Sequence, residues 1–180
     1  MPGLLLSFMA GDMSFLDGAV PNSPSHPCRE FGEAPLARRT GLFISDYRVT
    51  NFVALSAKFP TGPVRAGIQQ RDGFTTISEE AFLRSFANGV DHTKAEVLYA
   101  VQQPAAASLF GERTTAAAWH SKPSWYAVSK LDQTINPDLE RFLAKRMNAT
   151  TVELEAGHLS LVSHAQEITD LILAAAGGGK

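Results

Sequence analysis

The pattern of apolar and polar positions divides the chain into three parts, of which the first has no regular period. Residues 1–57 include the proline-rich stretch VPNSPSHPCREFGEAPLARRTG, which is typical of irregular chain. Two short apolar runs in this part, GLFISDY and TNFVALSA, favour short strands. We therefore expect an irregular N-terminal region over residues 1–57.

The second part, residues 58–115, has the spacing and the end residues of short helices. Ser78 is placed to cap a helix over ISEEAFLRSFANG, which Gly89 ends. Asp91 is placed to cap a second helix over HTKAEVLYAVQQ, which ends before Pro104. The run AAASLFGE predicts a third, shorter helix.

The third part, residues 116–176, alternates strand and helix patterns. PSWYAVS is a compact aromatic and β-branched run, and TTVELEA is a second strand pattern. Asn136 and Pro137 begin a predicted helix over INPDLERFLAKRMN, and a closing helix covers HAQEITDLILAAAGGG. This order of strand, helix, strand and helix predicts an α/β fold whose parallel strands are covered by helices.

The composition is that of an ordinary globular protein and excludes several kinds of site. The 180 residues are 44% hydrophobic and 19% charged, with a formal net charge of −2. This balance gives no broad attraction to nucleic acid or anionic membranes, and Arg38 and Arg39 form too small a basic cluster for a phosphate track. No G-x-G-x-x-G follows a strand, so no dinucleotide site is predicted. Cys28 is the only cysteine, which excludes an intrachain disulfide and a C-x-x-C metal site.

The first residues, MPGLLLSFMAG, contain a short apolar run. The run lacks a basic flank and is closely followed by Asp12 and Asp17, so we do not expect a signal peptide. No run of about 18 apolar residues is present, and we expect no membrane span. A cytoplasmic location is the resulting expectation.

A single acid and a single histidine follow the two strands of the third part. Asp132 comes after the strand at 123–129, and His158 comes after the strand at 150–155. Because parallel neighbouring strands end at the same edge of a sheet, we expect these two side chains to meet. A carboxylate there can orient an imidazole, and the imidazole can take a proton from a nucleophile and return it to a leaving group.

A simpler interpretation applies to each residue taken alone. An Asp in a loop before Asn-Pro is usually a turn residue or a cap, and a His after Gly is usually an ordinary loop residue. Their joint placement at consecutive strand ends favours the catalytic interpretation. His92, His120 and His164 lack such a placement, and we interpret them as structural or surface residues.

The second and third parts together resemble a known family. The segments DGFTTISEEAFLRSFANGV, AVQQPAAASLF and AAWHSKPSWYAVSKLDQTINPDLERFLAKRMNATTVELEAGHLSLVSHAQEITDLILAAA are similar to bacterial α/β-hydrolases related to plant esterases and hydroxynitrile lyases. The similar segments cover about residues 72–176. The resemblance implies a partial α/β-hydrolase fold with a helical cap at 58–115, a βαβα part of the core at 116–176, and residues 1–57 unlike the family.

The resemblance also implies a site and an activity. Asp132 matches the catalytic acid and His158 the catalytic histidine, late in the chain and in the family's order of nucleophile, acid, histidine. The implied activity is hydrolysis of carboxylic esters or lactones, with no cofactor.

The chain departs from this family at the nucleophile. No serine has glycines two residues before and two residues after it, so the G-x-S-x-G elbow is absent from the sequence, as is a glycine-rich oxyanion loop. One alternative is a truncated, catalytically weak or inactive member that binds ligands. Another is a substitute serine, either Ser45 or Ser56, because each follows a possible strand upstream of the cap.

A third alternative is a water that Asp132 and His158 activate directly, with or without a divalent metal. One carboxylate and one imidazole are few ligands for a metal. Further oxygens would have to come from Asp138, Glu153 or Glu155.

Apolar side chains in the second part indicate the substrate class. The set is Phe74, Phe82, Phe86, Leu98 and Phe110. It motivates a small to medium apolar acyl ester or lactone as the substrate, although packing among cap helices is the simpler explanation. We expect no nucleic-acid or membrane partner, and we expect exposed sheet edges to favour a dimer or higher oligomer.

Overall fold

The structure, a computed structural model, describes residues 5–7, 52–111 and 118–177. Its strands are β1 (Leu5–Ser7), β2 (Ile68–Arg71), β3 (Phe74–Ile77), β4 (Ala105–Ala106), β5 (Ser124–Ser129) and β6 (Thr150–Leu154). Its α-helices are α1 (Phe52–Ser56), α2 (Glu79–Ala81), α3 (His92–Ala100), α4 (Pro137–Arg146), α5 (Ser160–Ser163) and α6 (Ala165–Ala175). A π-helical turn, Phe82–Phe86, continues α2, and 3₁₀ turns lie at Pro63–Gly67, Ala107–Gly111 and Ala118–His120. None of the described helices is long and apolar enough to cross a membrane.

The described main sheet has the strand order β1-β5-β6, and both neighbouring pairs are parallel. The β5–β6 pairing runs from Trp125 opposite Thr150 to Ser129 opposite Leu154, so the two strands end level with each other. α4 connects the two strands, and α5 and α6 follow β6. The predicted α/β fold with parallel strands and covering helices is confirmed.

Local sequence determines where α4 begins and which face it buries. The Asn136 side-chain oxygen accepts a hydrogen bond from the Asp138 N–H at 2.9 Å, and Pro137 takes the first helical position. On the inner face, Ala144 packs with Val128 of β5 in a buried cluster. These contacts fix α4 against β5 and therefore also fix the loop that joins them.

The second part of the chain contains an antiparallel sheet, β2-β3-β4, in addition to helices. Its hairpin turn is Asp72–Gly73, where the φ angles are 51° and 80°. An Asp-Gly pair with positive φ at both positions is a preferred turn for a two-residue hairpin. β4 joins the sheet through Ala105 opposite Thr75. Our helical prediction for this part omits these strands, although Asp-Gly is a strong hairpin signal.

The first two predicted helices of this part are present. Ser78 precedes α2, but its side chain makes no capping hydrogen bond to the described residues. Gly89 follows the π turn with a φ of 84°, a conformation that favours glycine. α3 begins after Asp91, whose Oδ1 accepts a hydrogen bond from the Lys94 N–H at 3.0 Å.

An apolar cluster joins these helices to the segment after β6. Its buried members are Phe82, Ala87, Ala95 and Leu159, and we call them the cap cluster. The name cap is used below as a label for residues 58–115, the region predicted to be a cap. The Phe82 ring centroid lies 4.9 Å from that of Phe86 and 5.6 Å from that of Tyr99. Because Leu159 is next to His158 in the chain, the cluster ties the second part to the predicted site.

Two predictions for short elements are wrong. TNFVALSA, predicted as a strand, contains α1, which buries Leu55 against Leu139 of α4. AAASLFGE, predicted as a helix, forms β4 and a 3₁₀ turn. Short apolar runs fit a strand or a helix equally well by pattern, so the neighbouring elements decide between them. The remaining predicted short strand, GLFISDY, lies outside the described residues.

Candidate active site

The loops that follow β5 and β6 run side by side at the carboxyl edge of the main sheet. We call residues 130–136 the acid loop and residues 155–159 the histidine loop. The Lys130 N–H donates to the Leu154 carbonyl at 2.9 Å, and the Leu131 N–H donates to the Ala156 carbonyl at 3.0 Å. These bonds extend the pairing of the strands beyond their ends and bring the two loops together.

The two predicted site residues are in direct contact. His158 Nδ1 lies 2.8 Å from Asp132 Oδ2, and the two side chains are only 7% and 1% exposed. An ionised carboxylate only accepts hydrogen bonds, so Nδ1 carries the hydrogen. This tautomer leaves the lone pair on Nε2, where a catalytic base would need it. The expected meeting of the side chains is observed, while their catalytic role stays a prediction.

The acid loop supplies two hydrogen-bond donors to the Asp132 side chain. Its Oδ1 accepts from the backbone N–H groups of Thr134 at 2.6 Å and Ile135 at 2.9 Å. Burial alone would raise the pKa of Asp132. The hydrogen bond and charge of His158, the Ile135 N–H and the side chain of Glu140 outweigh it and hold the pKa below its usual value. Asp132 is therefore a buried carboxylate that stays ionised.

A second carboxyl group lies beside the first, and the sequence patterns did not lead us to assign it to the site. Glu140 is 1% exposed, and its Oε2 accepts a hydrogen bond from the Ser129 N–H at 2.7 Å. Burial, the neighbouring charge of Asp132 and the hydrogen bond with Asp132 raise the pKa of Glu140 to about 9. The Glu140 carboxyl is thus neutral at pH 7.

The sequence does contain a signal for Glu140. From its position in the first turn of α4 it is expected to be a solvated partner of the helix dipole. However, Leu143, Ala144 and Met147 follow it at spacings of three, four and seven, which places all four residues on one helix face. A lone acid within an apolar stripe is rare unless it has a buried partner.

The cap contributes an aromatic ring to the site. The Phe86 ring centroid lies 4.7 Å from that of His158, with the ring planes at 54°. Leu159, next to the histidine, is 6% exposed within the cap cluster. The histidine loop is therefore in contact with the cap as well as with the acid loop.

Asn88, between the π turn and α3, touches both loops. Its Nδ2 donates to the Leu131 carbonyl of the acid loop at 2.9 Å. A β-carbon placed on Gly157 of the histidine loop would collide with the Asn88 carbonyl oxygen and amide group. Gly157 is thus required because the cap backbone approaches it too closely for any side chain.

The other histidines have separate contacts. His164 Nδ1 lies 2.9 Å from Ser163 Oγ, next to the start of α6. His92 is exposed and lies 3.4 Å from Glu96 on α3, while the His120 ring stacks on Trp119 at 3.7 Å between centroids. None of these contacts involves the Asp132–His158 pair.

The three acids considered as additional metal ligands form ion pairs with arginine or lysine side chains. Asp138 and Glu153 both accept hydrogen bonds from Arg141, and Glu155 pairs with Lys130. Within the ranges 5–7, 52–111 and 118–177, no group of at least three His, Cys, Asp or Glu residues could hold a metal ion.

The candidate nucleophiles and the proposed acyl-binding set have mixed positions. Ser56 ends helix α1 and donates to the Val53 carbonyl at 3.1 Å, so the prediction that it follows a strand is wrong. Ser45 lies outside the described residues. The proposed acyl-binding set is divided between three places. Phe82, Phe86 and Leu98 pack together, Phe110 contacts Phe52, and Phe74 is 51% exposed.

Comparison with known proteins supplies a family. A sequence profile described as the alpha/beta hydrolase family matches residues 9–171. The match extends upstream of residue 72, where the similarity that we recognised from motifs begins, and it includes both loops of the site. A search of curated proteins finds no significant match.

Proposed function

The chain belongs to the alpha/beta hydrolase family, and on this premise we propose that it hydrolyses carboxylic ester or lactone bonds of small to medium apolar acyl compounds. Family membership supports a hydrolase-type function in general terms. The observation that carries the more specific proposal is the buried contact of 2.8 Å between His158 and Asp132. This pairing of base and orienting acid is the arrangement on which acyl transfer in serine hydrolases depends.

In the proposed reaction, His158 Nε2 takes the proton from an attacking hydroxyl group. The hydroxyl oxygen forms a bond to the acyl carbon, and the ester C–O bond breaks. The imidazolium then returns the proton to the leaving alkoxide, which departs as the alcohol. If the attacking hydroxyl belongs to a water, this step already yields the acid. If it belongs to a serine, a second step follows in which His158 Nε2 takes a proton from a water, the water oxygen bonds to the acyl carbon, the acyl–serine C–O bond breaks and the proton returns to the serine oxygen; in both cases one water is consumed and an acid and an alcohol are formed. Asp132 holds the ring through Nδ1 and stabilises its charged form, since it is ionised and buried.

The attacking oxygen belongs to a serine outside a G-x-S-x-G elbow or to a water. A fluorophosphonate probe followed by peptide mass spectrometry distinguishes the two, because only an activated serine becomes covalently labelled. Labelling that disappears in Ser45→Ala or Ser56→Ala identifies that serine. Hydrolysis without labelling, and its response to a chelator, tests the activated-water alternative.

The proposal of an apolar acyl group rests on the Phe86 ring. It lies against the His158 ring, and Phe82 of the cap cluster packs against it. An aromatic face beside the base favours apolar acyl chains over charged ones.

The lack of a G-x-S-x-G elbow favours a second candidate, a catalytically weak or inactive ligand-binding protein of the same fold. The two candidates differ in one measurement. Hydrolysis of a short-chain nitrophenyl ester should fall at least about a hundredfold in His158→Ala if the histidine is the base.

His92→Ala is the matched control, since His92 is exposed and lies on the cap helix α3. The control should hydrolyse the ester at the wild-type rate. A rate that is equal in wild type, His158→Ala and buffer would support the ligand-binding candidate and reject the hydrolase.

A further inference from the structure

Two carboxyl groups are buried side by side beneath the proposed site. As whole residues Asp132 and Glu140 are 7% and 1% exposed, and a hydrogen-bonding interaction between their carboxyl groups contributes to the pKa of both. Ser129, the last residue of β5, binds both: its N–H donates to Glu140 Oε2 at 2.7 Å, and its carbonyl accepts from the Asp132 N–H at 3.1 Å. Glu140 is therefore part of the structure that holds the acid, although the proposed reaction itself assigns it no step.

Only one of these two carboxyl groups can be ionised in such an environment. Asp132 accepts hydrogen bonds from two backbone N–H groups of the acid loop and contacts His158. Glu140 has one backbone donor, from Ser129 on β5. The donors therefore favour the negative charge on Asp132 and the proton on Glu140.

The other charges near Glu140 do not reverse this choice. Arg141 is its neighbour on α4, but the guanidinium binds Glu153 and Asp138. The charged group that faces Glu140 from the acid loop is Asp132 itself, and that charge together with burial raises the pKa of Glu140 to about 9. On the side of α4 that faces β5, Glu140 accepts a hydrogen bond from a backbone N–H and meets no charged side chain of β5 among the described residues.

We propose that Glu140 is a positioning residue: its neutral carboxyl group donates a hydrogen bond to the Asp132 carboxylate while accepting one from Ser129, and so fixes the acid that holds His158. The contribution of this bond to hydrolysis rests on the proposed function. The bond itself does not. Leu139 and Ala144 pack α4 against the core, so Glu140 has a fixed position from which it can hold the Asp132 side chain in place.

The test compares Glu140→Gln with Glu140→Met. Glutamine keeps the shape of a neutral glutamic acid, with an amide N–H to donate to Asp132 and a carbonyl to accept from Ser129. Methionine keeps the volume but removes the hydrogen bonds. We expect Glu140→Gln to retain kcat within about threefold, and Glu140→Met to lose about tenfold to a hundredfold in kcat with little change in KM.

Two spectroscopic readouts do not require activity. The side-chain carboxyl carbon of Glu140 in wild type, assigned by its loss in Glu140→Gln, should titrate near pH 9 in the ¹³C spectrum. The ¹⁵N shifts of His158 should report the Nδ1–H tautomer in wild type and in Glu140→Gln, and a mixture of tautomers in Glu140→Met. If Glu140→Met does not fold, the wild-type titration and the Glu140→Gln spectrum decide the matter.

The outcomes separate this proposal from the proposed function. Titration of Glu140 at the ordinary value of 4.5, or an unchanged His158 tautomer in folded Glu140→Met, would overturn the positioning role even if the protein hydrolyses esters. Titration of Glu140 near pH 9, together with a His158 tautomer that changes in Glu140→Met, would support the positioning role even if wild type shows no hydrolysis. In that case only the proposed function fails.

Discussion

The acid loop and the cap both contact the segment around His158, but they hold it by different interactions. On the acid-loop side the contacts are hydrogen bonds between buried polar groups: Ser129 binds both Glu140 and Asp132, and Asp132 binds the imidazole. On the cap side they are the Phe86 ring and the apolar cap cluster. Hydrogen bonds are directional and fix the ring orientation and the tautomer. Apolar packing is less directional and provides free energy of folding.

This comparison predicts that substitutions on the two sides have different effects on activity and on stability, which can be measured separately. Changes on the acid-loop side should alter the chemistry more than the stability. Changes on the cap side should alter the stability more than the chemistry.

The largest effect is expected for Asp132→Asn. The amide keeps the shape of the carboxylate but can donate to Nδ1, which favours the wrong tautomer of His158. We expect kcat for a nitrophenyl ester to fall about 10³- to 10⁴-fold, with a far-UV circular dichroism spectrum like that of wild type. The control is Asp138→Asn, because Asp138 is exposed on α4 and does not contact the histidine. Equal activity of the two variants would contradict the orienting role.

Phe82→Ala should give the largest loss of stability on the cap side. Phe82 is 5% exposed within the cap cluster, so its truncation removes buried apolar surface and leaves a cavity. We expect a decrease of about 3–5 kcal/mol in the free energy of unfolding by urea denaturation. Phe74→Ala is the matched control: Phe74 is 51% exposed, and its truncation should cost less than about 1 kcal/mol.

Gly157→Ala tests the close approach between the cap and the histidine loop. The added β-carbon would meet the Asn88 carbonyl oxygen, a backbone atom that cannot move away without shifting the chain. We expect a destabilisation of about 1–3 kcal/mol by thermal unfolding. Among the residues that the structure describes, no atom lies within 4 Å of a β-carbon added at Gly111, so Gly111→Ala should unfold close to the wild-type temperature. Similar midpoints for the two variants would mean that the cap and the loop are not in tight contact in solution.

The proton on Glu140 makes the stability of the folded protein depend on pH. Its carboxyl has a pKa of about 9 in the folded protein, whereas the ordinary pKa of a glutamate, which applies to the unfolded chain, is 4.5. Between these pH values the folded state binds the additional proton, so the free energy of unfolding decreases as pH rises, by up to about 1.4 kcal/mol per pH unit. Glu140→Gln has no such proton and should lack this part of the slope.

Asp132 affects the pH dependence of stability in a different pH range, so its contribution can be separated from that of Glu140. Its pKa is lowered in the folded state, so its stabilising contribution is present above the ordinary aspartate value of 3.8 and is lost as pH falls below it. Denaturation of wild type and Glu140→Gln at pH 5, 7 and 9 therefore isolates the Glu140 contribution. If the free energy of unfolding changes with pH in the same way in both proteins, Glu140 is ionised in the folded state.

The same two regions differ in how far the sequence predicts them. In the third part, strand and helix patterns are long enough to be recognised individually, and β5, α4, β6 and α6 all occur where they are predicted. The meeting of Asp132 and His158 follows from topology, since parallel strands end at one edge. In the second part, short segments and an unrecognised Asp-Gly turn conceal the sheet β2-β3-β4.

The candidate site was predictable only in its central pair. Asp132 and His158 are adjacent to strand ends, which sequence patterns indicate. Glu140 has the expected character of a helix-start acid, and only its place on the apolar face of α4 indicates burial. The cap contact through Phe86 depends on how the π turn packs, and nothing in the local sequence indicates which ring meets the histidine.

The sequence by itself determined the alternation of strands and helices in the third part, the helix caps at Asn136 and Asp91, and the strand ends that carry the acid and the histidine. These depend on interactions between residues close together in the chain, such as side-chain caps and the period of apolar positions. Tertiary structure decided which carboxyl group keeps its proton and which aromatic ring lies on His158. Burial and the distance between charges set the first, and the packing of the cap sets the second. These quantities exist only after distant segments have packed together.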